Sequence, residues 1–152
     1  MSRVRIKICG LTRRDELEAV CAAGIDAVGF VLSPSPRQLD PGSAMTLMQH
    51  LPPWVASVVV TRHPPADFGA TVLSQLVPDW WQSDAGDFDG QQVPSGTRLL
   101  PVLRENEQQA TTPPFYVYEG AQSGRGQTVD WQRAARQAGH GQMILAGGLD
   151  PD

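Results

Sequence analysis

Cys9 is a lone thiol at the end of an apolar, partly β-branched run, Ile6-Lys7-Ile8-Cys9, which breaks at Gly10 before Leu11-Thr12 and the charged segment Arg13-Arg14-Asp15-Glu16-Leu17. That order of residue types predicts a strand, a tight turn and a helix start, with Thr12 as the helix cap. The thiol then stands at a strand's carboxyl end, where parallel α/β architectures place their ligands. A free thiol ionises only near pH ~8.5, so a reactive thiolate at neutral pH needs positive charge or backbone donors beside it. Lys7, two residues earlier and on the same strand face, is a candidate neighbour. Arg37 closes Ser33-Pro34-Ser35-Pro36-Arg37, whose prolines keep the chain extended and hold a guanidinium just past a second strand end. Out of this context Cys9 would be a small buried hydrophobe and Arg37 a solvated loop charge. His50, His63 and His140 fall at a helix end or in loops, without partners at ligand spacing, and read as exposed and structural.

The elements that must position these groups alternate along the chain. Apolar patterning predicts strands over 4–9, 26–32, 55–61, 79–82, 98–103, 115–119 and 142–146, with helices over 13–23, 41–51, 66–76 and 132–138. The stretch 83–97 has no apolar stripe, so a fourth helix there is short or absent, and 105–110 supplies at most about two turns before Pro113-Pro114. In Trp80-Trp81 one ring faces the core and one faces outward. The glycine-rich loop 123–127 is expected to be mobile, and a lid over a ligand is its sharper reading. Parallel neighbours need long crossovers, so the alternation implies a parallel sheet. Seven strands could form an open doubly wound sheet or most of an eight-stranded barrel, which usually takes ~200–250 residues.

The bulk numbers narrow the function. With 152 residues the expectation is a single domain over 1–152, with an ordinary globular balance of 41% hydrophobic and 18% charged residues. A net charge of -4 argues against nucleic acid and anionic membrane as partners, leaving small molecules or a second copy, as monomer or homodimer. The start of the chain is too short in apolar residues for a signal peptide or a membrane span, which points to the cytoplasm. Cys9 and Cys21 lie outside any metal-ligand spacing and are expected to be reduced thiols.

Lys7-Ile8-Cys9-Gly10-Leu11-Thr12, Ala27-Val28-Gly29-Phe30-Val31, Ser35-Pro36-Arg37, Leu51-Pro52-Pro53, Val129-Asp130-Trp131 and Leu145-Ala146-Gly147-Gly148-Leu149 occur in this order. Together they resemble the phosphoribosylanthranilate isomerase family, (β/α)8-barrel enzymes of tryptophan biosynthesis. The resemblance implies an α/β fold, a (β/α)8 TIM barrel that is incomplete in this chain, with about seven strands and shortened fourth and fifth helices. It also implies an Amadori rearrangement of N-(5-phosphoribosyl)anthranilate to 1-(2-carboxyphenylamino)-1-deoxyribulose 5-phosphate, with no cofactor and no metal. Opening the ribose ring calls for an acid near the ring oxygen, and loss of the C2 proton calls for a base. The resemblance gives the acid role to Asp130 and the base role to Cys9. It implies that Arg37 pairs with the anthranilate carboxylate, that Gly147 and Gly148 let backbone N–H groups approach the phosphate, and that Gln82 makes a polar contact. To hold a proton at pH 7, Asp130 needs apolar surroundings or a neighbouring carboxylate, with Trp131 and Glu119 as candidates; by itself it is an ordinary helix cap.

The chain departs from the family pattern in four places. Ser83-Asp84-Ala85 stands where Leu-His-Gly usually follows the glutamine, Val60-Thr61-Arg62 replaces Phe-Val-Asn, and Gln127 replaces a common lysine. The sequence given also stops at Asp152, before an eighth strand. Three expectations follow: a piece of a longer protein, a barrel completed by an associated chain, or a shortened paralogue without the reaction. The alternative function is therefore a non-catalytic metabolite-binding paralogue that keeps Arg37.

Overall fold

The computed structural model describes residues 3–107, 111–122 and 126–149. The chain divides into two compact units, Met1–Leu99 and Leu100–Asp152. In the first, β1 (Lys7–Cys9), β2 (Ala27–Val31), β3 (Ala56–Val60) and β4 (Trp80–Asp84) lie side by side in chain order, all parallel. The register sets Cys9 opposite Gly29, Gly29 opposite Val58, and Val58 opposite Trp80. Alternation then sorts the side chains. Val28, Phe30, Val59 and Trp81 face the helix layer and are fully buried, each worth about 1.5–3 kcal/mol in removed apolar surface. Lys7, Cys9, Gly29 and Gln82 fall on the opposite face.

Three helical segments cover the apolar face. Helix α1 (Arg14–Ala22) buries Leu17, and α2 (Pro41–Met48) buries Ala44 and Leu47 behind an Asp40 cap, with Pro41 in its first turn. The third begins as a π-turn segment, Gly69–Leu73, and continues as α3 (Ser74–Leu76). It starts three residues later than the expected 66–76 helix, because Pro65 to Phe68 form a turn and the 91–92 loop packs onto Gly69, where any Cβ would overlap the Gln92 carbonyl. Between β4 and the next strand there is only a 3₁₀ turn, Ala85–Phe88, as the missing apolar stripe in 83–97 foretold.

The second unit begins inside β5 (Arg98–Arg104). Its β6 (Phe115–Glu119) pairs in parallel with β5 on one side and with β7 (Gln142–Leu145) on the other. Helix α4 (Trp131–Ala138) buries Ala134 against Leu103, Tyr116, Tyr118 and Val129. The Tyr116 hydroxyl donates to the Gln137 carbonyl at 2.8 Å, so its polar end is satisfied inside the core. Of the two turns expected over 105–110, Glu105 and Asn106 form a turn, while 108–110 lie outside the described residues, as do 123–125 of the glycine-rich loop.

The Thr12 cap is corrected. Arg13 occupies the extended cap position of α1, and no side chain caps it. The helix closes from the other direction: Glu16 reaches back and accepts from the Thr12 N–H at 3.3 Å. An acidic first turn, Asp15 and Glu16, serves the N-terminal N–H groups and the helix dipole without a hydroxyl.

Candidate functional site

Cys9 is half-buried at the last position of β1, and the chain turns at Gly10 with φ +82°. That conformation suits glycine, and space requires it too: a Cβ at Gly10 would lie 2.8 Å from Cδ and 2.9 Å from Nε of Arg37. The Arg37 side chain therefore lies across the turn, and its Nη1 donates to the Cys9 carbonyl oxygen at 3.4 Å. Its loop is fixed at both ends. The Arg37 N–H donates to Ser35 Oγ at 2.9 Å, and Gln38 bridges back to Val31 at the end of β2. The remaining guanidinium N–H groups have no partner among the described residues, which suits a planar two-oxygen ligand. Arg37→Met is expected to raise KM for a carboxylate-bearing substrate about 10–100-fold, with a smaller change in kcat, in steady-state kinetics.

Lys7 joins this group through Gly29. A Cβ at Gly29 would meet the Cys9 sulfur at 2.7 Å and the Lys7 ammonium nitrogen at 3.2 Å, so both heads lean over one glycine. Gln82 sits on the same face of β4, 8% exposed, with its Oε1 buried and without a hydrogen-bond partner among the described residues. A buried orphan acceptor of this kind is satisfied by a donor from outside.

The ends of β3 and β4 hold what the sequence did not reveal. Trp81 Nε1 donates to Thr61 Oγ1 at 2.8 Å, the Thr61 hydroxyl donates to Ser83 Oγ at 3.0 Å, and Ser83 donates to Asp87 Oδ2 at 2.6 Å. Asp87 also accepts from the His63 N–H at 2.8 Å, and Arg62 Nε lies 3.5 Å from Asp84. The departures from the family pattern at Thr61-Arg62 and Ser83-Asp84 are thus bonded to one another. His63 is exposed as expected but not without partners: its Nδ1 lies 3.0 Å from Asp87 Oδ1 and its Nε2 3.8 Å from Asp84 Oδ2. Burial opposes the charge on Asp87, but the bonds from Ser83 and His63 outweigh it and hold the carboxyl below its usual value.

A depressed carboxyl adds stability that is present above its unfolded value, near pH ~3.9, and lost as pH falls through the folded value. Ser83→Ala is expected to cost about 1–2 kcal/mol at neutral pH. It is also expected to shrink the further loss below pH ~4, since Asp87 then titrates closer to its unfolded value. Urea unfolding of both proteins at neutral and acid pH measures both effects.

The second unit holds Asp130, Gly147 and Gly148. Asp130 caps α4, its Oδ1 accepting from the N–H groups of Gln132 at 2.9 Å and Arg133 at 3.1 Å, while Oδ2 takes no bond among the described residues. The neighbouring carboxylate is Glu105, whose Oε1 accepts from the Asp130 N–H at 2.7 Å. Of the candidates named from the sequence, Glu119 lies 3.5 Å from buried Arg104, and Trp131 is 54% exposed. Gly147 and Gly148 have φ of +98° and +62° and pack on the backbone of Gln127 and Thr128, where a Cβ on Gly148 would overlap the Thr128 nitrogen. The pair therefore seats the segment that leads into Asp130. The first unit brings Cys9, Lys7 and Arg37 together, and the second brings the glycine pair against the approach to Asp130.

Parallel strands alternating with helices, with polar side chains gathered at the strands' carboxyl ends, are the marks of a barrel-type α/β enzyme. The profile of the N-(5'phosphoribosyl)anthranilate (PRA) isomerase family matches residues 6–152. N-(5'-phosphoribosyl)anthranilate isomerase from Acidithiobacillus ferrooxidans is 35% identical over 98% of this chain and 78% of its own. The enzyme of that name from Halorubrum lacusprofundi is 31% identical over 97% and 78%. The crystal structure of TrpF from Jonesia denitrificans superposes with a TM-score of 0.79 at 27% identity, over 99% of this chain and 78% of that one. The chain belongs to the phosphoribosylanthranilate isomerase family, and its described residues form seven parallel strands of an incomplete (β/α)8 barrel. Among the described residues no helix is long and apolar enough to cross a membrane.

Proposed function

We propose that the chain catalyses the Amadori rearrangement of N-(5-phosphoribosyl)anthranilate, with Asp130 as general acid and Cys9 as general base. The observation that carries the reading is the meeting of the Cys9 thiol with the Lys7 ammonium over Gly29, beside a guanidinium held across Gly10. Asp130 gives its proton to the ring oxygen as the C1–O bond breaks, and the nitrogen lone pair forms an iminium at C1. The Cys9 thiolate takes the C2 proton, and the released electron pair forms the C1–C2 double bond and neutralises the iminium. The resulting enol closes to the C2 ketone as C1 gains a proton. The steps are proton transfers and the bond shifts within the substrate that they drive, with no outside electron donor or acceptor, so the chemistry calls for no cofactor. Arg37 holds the anthranilate carboxylate, Gln82 gives a polar contact, and the backbone at Gly147 and Gly148 faces the phosphate. We place this activity in the cytoplasm, on a small-molecule substrate and on a monomer or homodimer.

The test is chromatographic assay of the purified chain with N-(5-phosphoribosyl)anthranilate. Conversion to the ketose product supports the reading. Tight binding without conversion would show a metabolite-binding paralogue instead.

A further inference from the structure

We propose that Lys7 is a positioning residue for the Cys9 thiol, its ammonium and the sulfur sharing a gap that Gly29 keeps open. The inference rests on Cys9 being the reacting base. Gly29 is the direct β2 partner of Cys9, and a Cβ there would lie 2.7 Å from the sulfur and 3.2 Å from the Lys7 nitrogen. The two heads are therefore no more than about 6 Å apart, within the range where a cation favours the anionic form of its neighbour. Successive same-face residues on a strand have Cα atoms ~6.6 Å apart and run side by side, so it is the missing side chain at position 29 that lets both lean inward.

The other surroundings leave this role to Lys7. On β2 the neighbours Val28 and Phe30 are apolar and turned into the helix-side core. The turn after β1 contributes Gly10 and Leu11, which carry no charge. The second cation, Arg37, donates to the Cys9 carbonyl oxygen, and its charge is the same in every Lys7 variant compared below. Among the described residues Lys7 makes no ion pair with a carboxylate, which leaves its charge uncompensated toward the thiol.

The experiment alkylates the intact chain with iodoacetamide and follows the Cys9 peptide by mass spectrometry. Cys21 in the same molecules is the reference, its thiol pushed up by burial. Lys7→Met is expected to slow Cys9 labelling about tenfold at pH 7 and to lower kcat with KM retained, the labelling deficit closing toward pH ~9.5 where thiols ionise unaided. Lys7→Arg is expected to restore labelling and kcat to within ~3-fold of the parent, because it keeps the charge. Gly29→Ala is expected to slow labelling at pH 7 by crowding the sulfur out of the gap.

Labelling of Lys7→Met at the parent rate overturns the inference. So does a deficit equal at both pH values, which would report lost access, or a Lys7→Arg variant as slow as Lys7→Met. Unchanged labelling of Gly29→Ala also overturns it. If labelling depends on Lys7 but the parent chain converts no substrate, the isomerase reading fails and only the coupling of Lys7 to the thiol stands, without its part in catalysis. Turnover with Lys7-independent labelling does the reverse.

Discussion

Cys9→Ala is expected to lower kcat by about 10²–10⁴-fold with KM changed less than ~3-fold, the range that one positioned base contributes to proton transfer. Alanine removes only the sulfur from a half-buried strand-end site, and the register with Gly29 is backbone work, so the parallel pairing stays. Arg37 also stays, because it bonds the carbonyl oxygen of residue 9 and not its side chain. Steady-state kinetics on folded protein, checked by circular dichroism, measures the effect. A variant within ~3-fold of the parent kcat removes the thiol from the chemistry.

Asp130→Asn carries the second large effect and separates two roles of one side chain. Asparagine caps helices as well as aspartate does, so the bonds from Gln132 and Arg133 persist and stability is expected to change by less than about 0.5 kcal/mol. The amide cannot deliver the acid's proton, so kcat is expected to fall about 10²–10⁴-fold. Asp130→Ala loses the cap as well and is expected to cost about a further 1 kcal/mol in urea unfolding. If Asp130→Asn turns over normally while Asp130→Ala is merely less stable, capping is the whole role of the residue.

What the sequence disclosed, and what it withheld, follows the range of the forces involved. The break from Ile8-Cys9 to Gly10 is local chemistry, and the strand, the positive-φ turn and the thiol at the strand end lie where that chemistry puts them. Arg37 was legible for the same reason, since two prolines and a returning strand edge fix a short loop. The Thr12 cap was misread because a capping hydroxyl accepts from inside the first turn and a back-reaching carboxylate accepts from the N–H before it, and spacing alone does not say that only the second bond forms. The Thr61 to Ser83 bond links positions 22 apart, and the Glu105 to Asp130 bond positions 25 apart. Such pairs become visible only when parallel strands bring their ends level.

That distance explains why departures from the family pattern read as losses in the sequence and as exchanges in the structure. Ser83 and Asp84 replace residues of one strand end, Thr61 and Arg62 those of the next, and each new residue bonds or faces a new partner across the pair. The glycine pair shows the converse. Gly147-Gly148 stands out in the sequence as a glycine pair, while its close contact with the backbone at Thr128 is a packing demand that composition does not encode.

The most direct measurement of the central claim is the rearrangement run in deuterium oxide with the parent chain and with Cys9→Ala, the product examined by proton NMR. The account predicts rapid conversion by the parent, with deuterium from solvent entering at C1 and the C2 proton lost, and conversion by Cys9→Ala slower by about 10²–10⁴-fold. Equal rates from the two proteins, or a product that keeps the original C2 proton at C1 as a direct hydride shift would leave it, would contradict it.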